Sequence, residues 1–345
     1  MQTKTATFLL LTPLMMQAAN YSARKMTLGD VEVIRLADAA RHTEVSIAPS
    51  IGNMAYEMKV NGKNLFWFPF RDPGEWKKNL LPCANPFLGP WAGRLDQDAY
   101  WANGKKYIVN PDLNNLRRDQ FKLSIHGVLY FTPEWRAVEV KADAKSARAV
   151  SRLEFWKYPD MMAQFPFAHT LTMTYTLSNG QLEVEILVEN HAVAPMPVSV
   201  GFHPFFRLHD SPRPQWKVHL AARQKLVLDE HLIPTGERKP NPYSDPQPLA
   251  TTKLDDLFID LIRDKDGKAV FWVEGIKERV TVIFGPKWRA GVAFTPPDKE
   301  AVCLEPNAAI GNAFNLAHAG LYQELQSIPP GGQWRESYWI VPSGF

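Results

Sequence analysis

Apolar and polar residues alternate with a period of two through much of the chain. Leu171, Met173, Tyr175 and Leu177 alternate with threonines, Ser178-Asn179-Gly180 breaks the run, and Leu182, Val184, Ile186 and Val188 alternate on the return. Residues two apart share one face of an extended strand, and Asn-Gly suits a tight hairpin turn, so this stretch predicts a long β-hairpin. Val31 to Leu36 and Glu44 to Ala48 alternate in the same way. A turn follows at Ser50-Ile51-Gly52-Asn53, and a second Asn-Gly lies at 61–62 within Met58 to Trp67, which predicts an opening β meander. Further strands are predicted over 135–141, 150–156, 216–220, 270–273, 280–284, 291–294 and 334–341. Segments 73–80 and 236–249 are polar and proline-bearing and read as surface loops. No fixed-period repeat points to a propeller or solenoid. The strands together predict an all-β fold with few helices, a large antiparallel β sandwich.

Composition narrows this picture. A length of 345 residues could hold two average domains, but large sandwiches run long, and the 28 prolines and 20 glycines are scattered rather than gathered in a linker. One catalytic domain over 20–345 is the expectation. The 39 basic and 36 acidic residues leave a net charge of +3 with no basic stripe, which argues against a nucleic-acid partner. Residues 1–19 read as a signal peptide: Lys4, an apolar stretch from Phe8 to Met16, then Ala18 and Ala19 as a small-residue cleavage point. The mature protein is then exported to the periplasm or beyond; if Met26 is the true start, it is cytoplasmic. No later stretch reaches the roughly 20 apolar residues of a membrane span. Cys83 and Cys303 are too few for a disulfide framework and are expected as two buried thiols, one bridge being the alternative.

Candidate chemistry concentrates in four segments where ionisable residues sit among glycines, prolines and aromatics: Leu88 to Leu95 with Arg94, Ser124 to Gly127 with His126, Val200 to Phe206 with His203, and Cys303 to Asn307 with Glu305. A lone histidine on an apolar strand is usually a hydrogen-bonded core residue. His203 and Glu305 carry more information, because burying an imidazole or a carboxylate in an apolar run costs free energy unless each has a partner or ligand. A structural ion pair between Glu305 and Arg94 is the plainer alternative.

Taken in order, these segments resemble the aldose 1-epimerase (galactose mutarotase) family. Ala92-Gly93-Arg94-Leu95 followed by Ala102-Asn103-Gly104, and Ile328-Pro329-Pro330-Gly331 before the last strand, add to the resemblance, which runs from about Val45 to the C-terminus. It implies a mutarotase-like antiparallel β supersandwich and an enzyme, an isomerase, that opens and recloses a pyranose to interconvert its α and β anomers. It also implies that Glu305 is the general base at the C1 hydroxyl and His203 the general acid at the ring oxygen. Arg94, His126 and Asp255, in Leu254-Asp255-Asp256-Leu257-Phe258, would bind sugar hydroxyls. Val128, Pro90 and Asp256 depart from the family pattern at sugar-contacting segments, which bears on the sugar accepted.

Independently of the family, opening a hemiacetal needs a proton to leave one oxygen as another arrives at its neighbour, so an acid and a base must flank the ring. Reference pKa values predict an ionised glutamate and a histidine poised near neutrality, with the carboxylate favouring the imidazolium. No cofactor or metal is required. Trp91, Phe206 and Phe314 are candidate apolar walls for a sugar face. Two other readings are a non-catalytic carbohydrate-binding or polysaccharide-processing protein on the same fold, and a metal hydrolase using His126, His203 and Glu305, which lacks any His-Glu-x-x-His spacing.

Overall fold

The computed structural model describes residues 20–345, so the leader reading for 1–19 lies outside the described residues. The predicted hairpin forms as strands His169–Ser178 and Gln181–Asn190, paired in unbroken register from His169 opposite Asn190 to Ser178 opposite Gln181. Asn179 and Gly180 take φ of 50° and 71°, the left-handed turn that joins two strands with their natural twist. This hairpin lies in a nine-stranded sheet, with Ala147–Glu154 and Arg136–Ala142 on one side and Gln333–Ser343, Arg279–Phe284 and Ala269–Glu274 on the other. The opening meander, Tyr21–Leu28 to Lys63–Asn64, is a separate five-stranded sheet in chain order.

A third sheet runs in the order Pro234–Pro240, Ala222–Leu228, Asp255–Leu261, Ala290–Phe294, Val302–Asn307, Gly201–Phe202 and Phe87–Leu88, with Phe205–Phe206 also paired to Val302–Asn307. One of its faces is apolar: Phe258, Ala293 and Leu304 join a core that includes Ile186, Val282 and Tyr338 of the nine-stranded sheet. Phe202 packs against Tyr338 and Trp288, with ring centroids 4.8 and 5.9 Å apart. Successive strand residues point to opposite faces, so the neighbours of these core residues, Leu257, Val292 and Glu305, face away from the core. The fold is thus an all-β antiparallel sandwich, as the alternation predicts.

Two polar stretches read as loops contain regular structure. Pro73–Lys78 is a helix: Asp72 accepts from the Glu75 N–H at 2.9 Å, Pro73 fits the first turn, where no N–H donor is needed, and Trp76 is fully buried. Pro234–Pro240 is an edge strand on Ala222–Leu228, where the prolines cost no ladder hydrogen bond from the open side. No helix among the described residues is long and apolar enough to cross a membrane.

His169 gives the fold a pH signature. It is buried, stacked on Phe155 with ring centroids 4.2 Å apart, and its Nδ1–H donates to the Phe167 carbonyl at 2.6 Å. Desolvation pushes its imidazole down to about 4. The unfolded chain binds this proton near pH 6.5 while the folded one does not, so its contribution is present above pH 6.5 and lost as pH falls. By pH 5 the expected loss is about 2 kcal/mol relative to neutral pH. The unfolding free energy from urea titrations should fall between pH 7 and 5 by about 2 kcal/mol less in His169→Gln than in the unsubstituted protein; equal falls would refute the assignment.

Candidate active site

The register of the third sheet brings the two candidate proton-transfer groups together. Gly201 pairs with Asn307 and Phe205 with Cys303, and continuing that register places His203 opposite Glu305. Directly opposed side chains on one face lie about 5 Å apart or less. Pro204 cannot donate to the ladder, so the strand is interrupted between Phe202 and Phe205, and His203 leans across the gap. Its Nε2 is 3.2 Å from Glu305 Oε1. Glu305 is 2% exposed and His203 9%.

Neighbouring strands extend the same face. Val292 lies opposite Glu305, Leu257 opposite Val292, and Asp255 opposite Phe294 in the next row. These side chains form the floor of a cleft of about 340 Å³. Loops from the other side of the chain supply its rim. Arg94 follows Gly93, whose φ of 72° and close approach to Gly311 leave no room for a side chain. Arg94 Nε donates to Asp119 Oδ2 at 2.6 Å, while Asp119 Oδ1 accepts from the Phe121 and Leu123 N–H groups. That clamp fixes the guanidinium while leaving its terminal nitrogens for other acceptors. His126 has φ of 64°, and its Nδ1 accepts from the Gly93 N–H at 3.1 Å, so the neutral ring carries its proton on Nε2. The rings of His126 and His203 meet edge to face with centroids 5.4 Å apart.

All five residues singled out in the sequence, Glu305, His203, Arg94, His126 and Asp255, line this one cleft. Four details differ from expectation. Arg94 pairs with Asp119 rather than Glu305. Trp91, Phe206 and Phe314 are core residues, and the aromatic walls are Tyr130, Phe205 and Phe294. Phe205 and Phe206 necessarily take opposite faces of their strand, and sequence alone does not say which one meets the cleft. The groups that converge as possible metal ligands are His203, Cys303 and Glu305, with ligand atoms within 4.8 Å, and not His126. Cys83 and Cys303 are both free and buried.

The fourth difference concerns protons. Desolvation pushes the Glu305 carboxyl well up, reinforced by the nearby Asp255 charge and opposed by a hydrogen bond from Asn307. Desolvation also pushes His203 down to about 3, and His126 down, with Arg117 adding to both shifts. Burial therefore outweighs the attraction that would favour a carboxylate–imidazolium pair. Burial thus favours the uncharged form of each group, the carboxylic acid of Glu305 and the neutral imidazole of His203.

Sequence comparison sets this site in a family. The sequence profile of the aldose 1-epimerase family matches residues 33–340, nearly all of the described chain. The chain belongs to the aldose 1-epimerase family. Solved structures share the fold of this family member. A galactose mutarotase-like protein from Clostridium acetobutylicum has a TM-score of 0.83 at 21% identity, covering 94% of this chain and 99% of its own. The Slr1438 protein from Synechocystis sp. PCC 6803 has 0.71 at 24%, covering 91% and 96%. Galactose 1-epimerase from Lactobacillus acidophilus NCFM has 0.70 at 15%, covering 95% and 100%.

Proposed function

We propose that this epimerase-family protein interconverts the α and β anomers of a free monosaccharide, with Glu305 and His203 as the proton-transfer pair. The reading rests on one observation: a buried carboxyl and a buried imidazole 3.2 Å apart in a cleft with room for one pyranose. Desolvating two such groups is costly, and a site built only to bind a sugar gains nothing from it. In ring opening, one member takes the proton of the C1 hydroxyl as the other protonates the ring oxygen, and the C1–O5 bond breaks to give an aldehyde and a C5 hydroxyl. After rotation about C1–C2, reclosure on the other aldehyde face runs the same transfers backwards.

Because the reaction is its own reverse, each member acts as acid in one direction and base in the other. The reacting state therefore needs one transferable proton on the pair: two would leave no base, and none would leave no acid. The family assignment makes Glu305 the base at C1 in the opening step, which requires the pair's proton to stand on His203 when the ring opens. Arg94, His126 and Asp255 hold sugar oxygens on the rim, and Arg94 suits this because its clamped, planar fork presents donors in a fixed direction. Arg94→Lys is expected to lower kcat/KM about tenfold, chiefly through KM. An unchanged KM would remove Arg94 from substrate binding.

Anomer exchange of aldoses, followed by NMR saturation transfer at C1, tests the proposal. Acceleration over the buffer rate is the expected result. Sugar binding without acceleration, across neutral and charged aldoses alike, would favour the carbohydrate-binding reading instead.

A further inference from the structure

Four cations line the cleft, and they differ in how they are neutralised. Arg94 is bound by Asp119 at 2.6 Å and Arg118 by Asp98 at 2.9 Å. Arg117 and Lys299 have no carboxylate within ion-pair distance among the described residues. Arg117 lies over the Tyr130 ring, 4.0 Å from guanidinium carbon to centroid. Lys299 Nζ lies over Trp67 at 5.1 Å and near Phe205 at 6.0 Å. Two cations that line the cleft without a carboxylate partner favour an anion over a neutral hydroxyl, because charge-assisted hydrogen bonds are the strong ones.

The position of the pair says where on the sugar that anion sits. Lys299 lies near Phe205, whose ring stacks on His203 at 4.6 Å, and Arg117 lies over Tyr130, which neighbours His126 beside His203, whereas the strand of Asp255 lies on the side of Glu305 away from His203. The cleft is thus basic at its His203 end and acidic at its Glu305 end. On the proton-transfer reading above, on which this inference rests, His203 serves the ring oxygen and Glu305 the C1 hydroxyl. The ring oxygen is bonded to C5, and C5 carries C6. An anionic group at C6 therefore falls on the basic side, away from Asp255.

We propose that the preferred substrate is an aldose with an anionic group at C6, a hexuronate or a hexose 6-phosphate, held by Arg117 and Lys299. The carboxylate of a uronate and the phosphate of a 6-ester present the same chemistry, oxygen anions that accept from a guanidinium and an ammonium, at different reach.

Saturation transfer at C1 decides between charged and neutral substrates. Glucuronate, galacturonate and glucose 6-phosphate are compared with glucose and galactose at low ionic strength. At least one charged sugar is expected to show kcat/KM about tenfold or more above its neutral parent, and which one responds separates carboxylate from phosphate. Arg117→Met and Lys299→Met should each shrink that charged-to-neutral ratio about tenfold, with the folded state checked by circular dichroism. Should Arg117→Met fail to fold, Lys299→Met carries the test alone. Neutral sugars exchanged as fast as charged ones, or a ratio unmoved by the substitutions, overturns the charge preference and leaves the epimerase reading standing. Acceleration of no sugar of either kind overturns both.

Discussion

Glu305→Gln is expected to lower kcat for anomer exchange by about 10³- to 10⁴-fold while leaving the protein folded, because a positioned proton-transfer group is worth roughly 10²–10⁴ in rate and here the partner group loses its counterpart as well. The substitution keeps the shape of the side chain, and burial favours the uncharged form of Glu305, so the amide introduces a neutral group of the same size without stranding a charge. Thermal stability should therefore change little while chemistry collapses. His203→Gln should cost a similar factor, and the double substitution little more than either single one, since the two groups act together in one proton exchange. Additive losses would mean that each acts independently, and a Glu305→Gln protein retaining more than about a tenth of the rate would remove Glu305 from the chemistry.

The second large effect concerns the backbone behind His126. Gly127 has φ of 62°, and a β-carbon there would lie 2.1 Å from the Gly89 carbonyl oxygen and 2.7 Å from the Pro90 nitrogen. That same carbonyl accepts from the N–H groups of both Val128 and Leu129, at 2.9 and 3.1 Å. Neither neighbour is the end of a flexible side chain, so the clash is resolved only by moving main chain. Gly127→Ala is expected to destabilise the protein by about 3 kcal/mol, combining left-handed strain with the loss of these hydrogen bonds. It should also weaken activity in the molecules that stay folded, through the displaced His126. Guanidine denaturation and single-substrate kinetics on the same preparation measure the two effects. An unshifted midpoint would show that the loop has slack the structure does not suggest.

Strands proved legible where alternation was long. The paired runs at 171–177 and 182–188 fixed both their extent and their inward faces, because a period of two leaves no other way to bury four residues together. Short elements were harder. Six residues at Pro73–Lys78 make fewer than two helical turns, too few to show a helical period, although the Asp72-Pro73 cap was there to be read. The candidate pair emerged from family resemblance; nothing local links residue 203 to residue 305, whose proximity is a property of strand register. Arg117, Lys299 and Asp119 were invisible for a related reason: they sit in irregular segments, where whether a charge is paired depends on contacts between distant loops.

Strand Val302–Asn307 is buried along its whole length and supplies Cys303, Glu305 and Asn307 to one face while Leu304 sits in the core. Sliding this strand by a single position would turn an acid inward and a leucine outward, so the scaffold cannot drift without extinguishing the chemistry. Evolution is left with the rim: Arg94, Arg117, Asp119 and His126 all arrive on irregular segments between strands, and Lys299 on the segment leading into that strand, where insertions and exchanges leave the floor intact. Diversification among proteins of this architecture should accordingly be written in those connecting segments, with new sugars admitted at the edge of an unchanging centre.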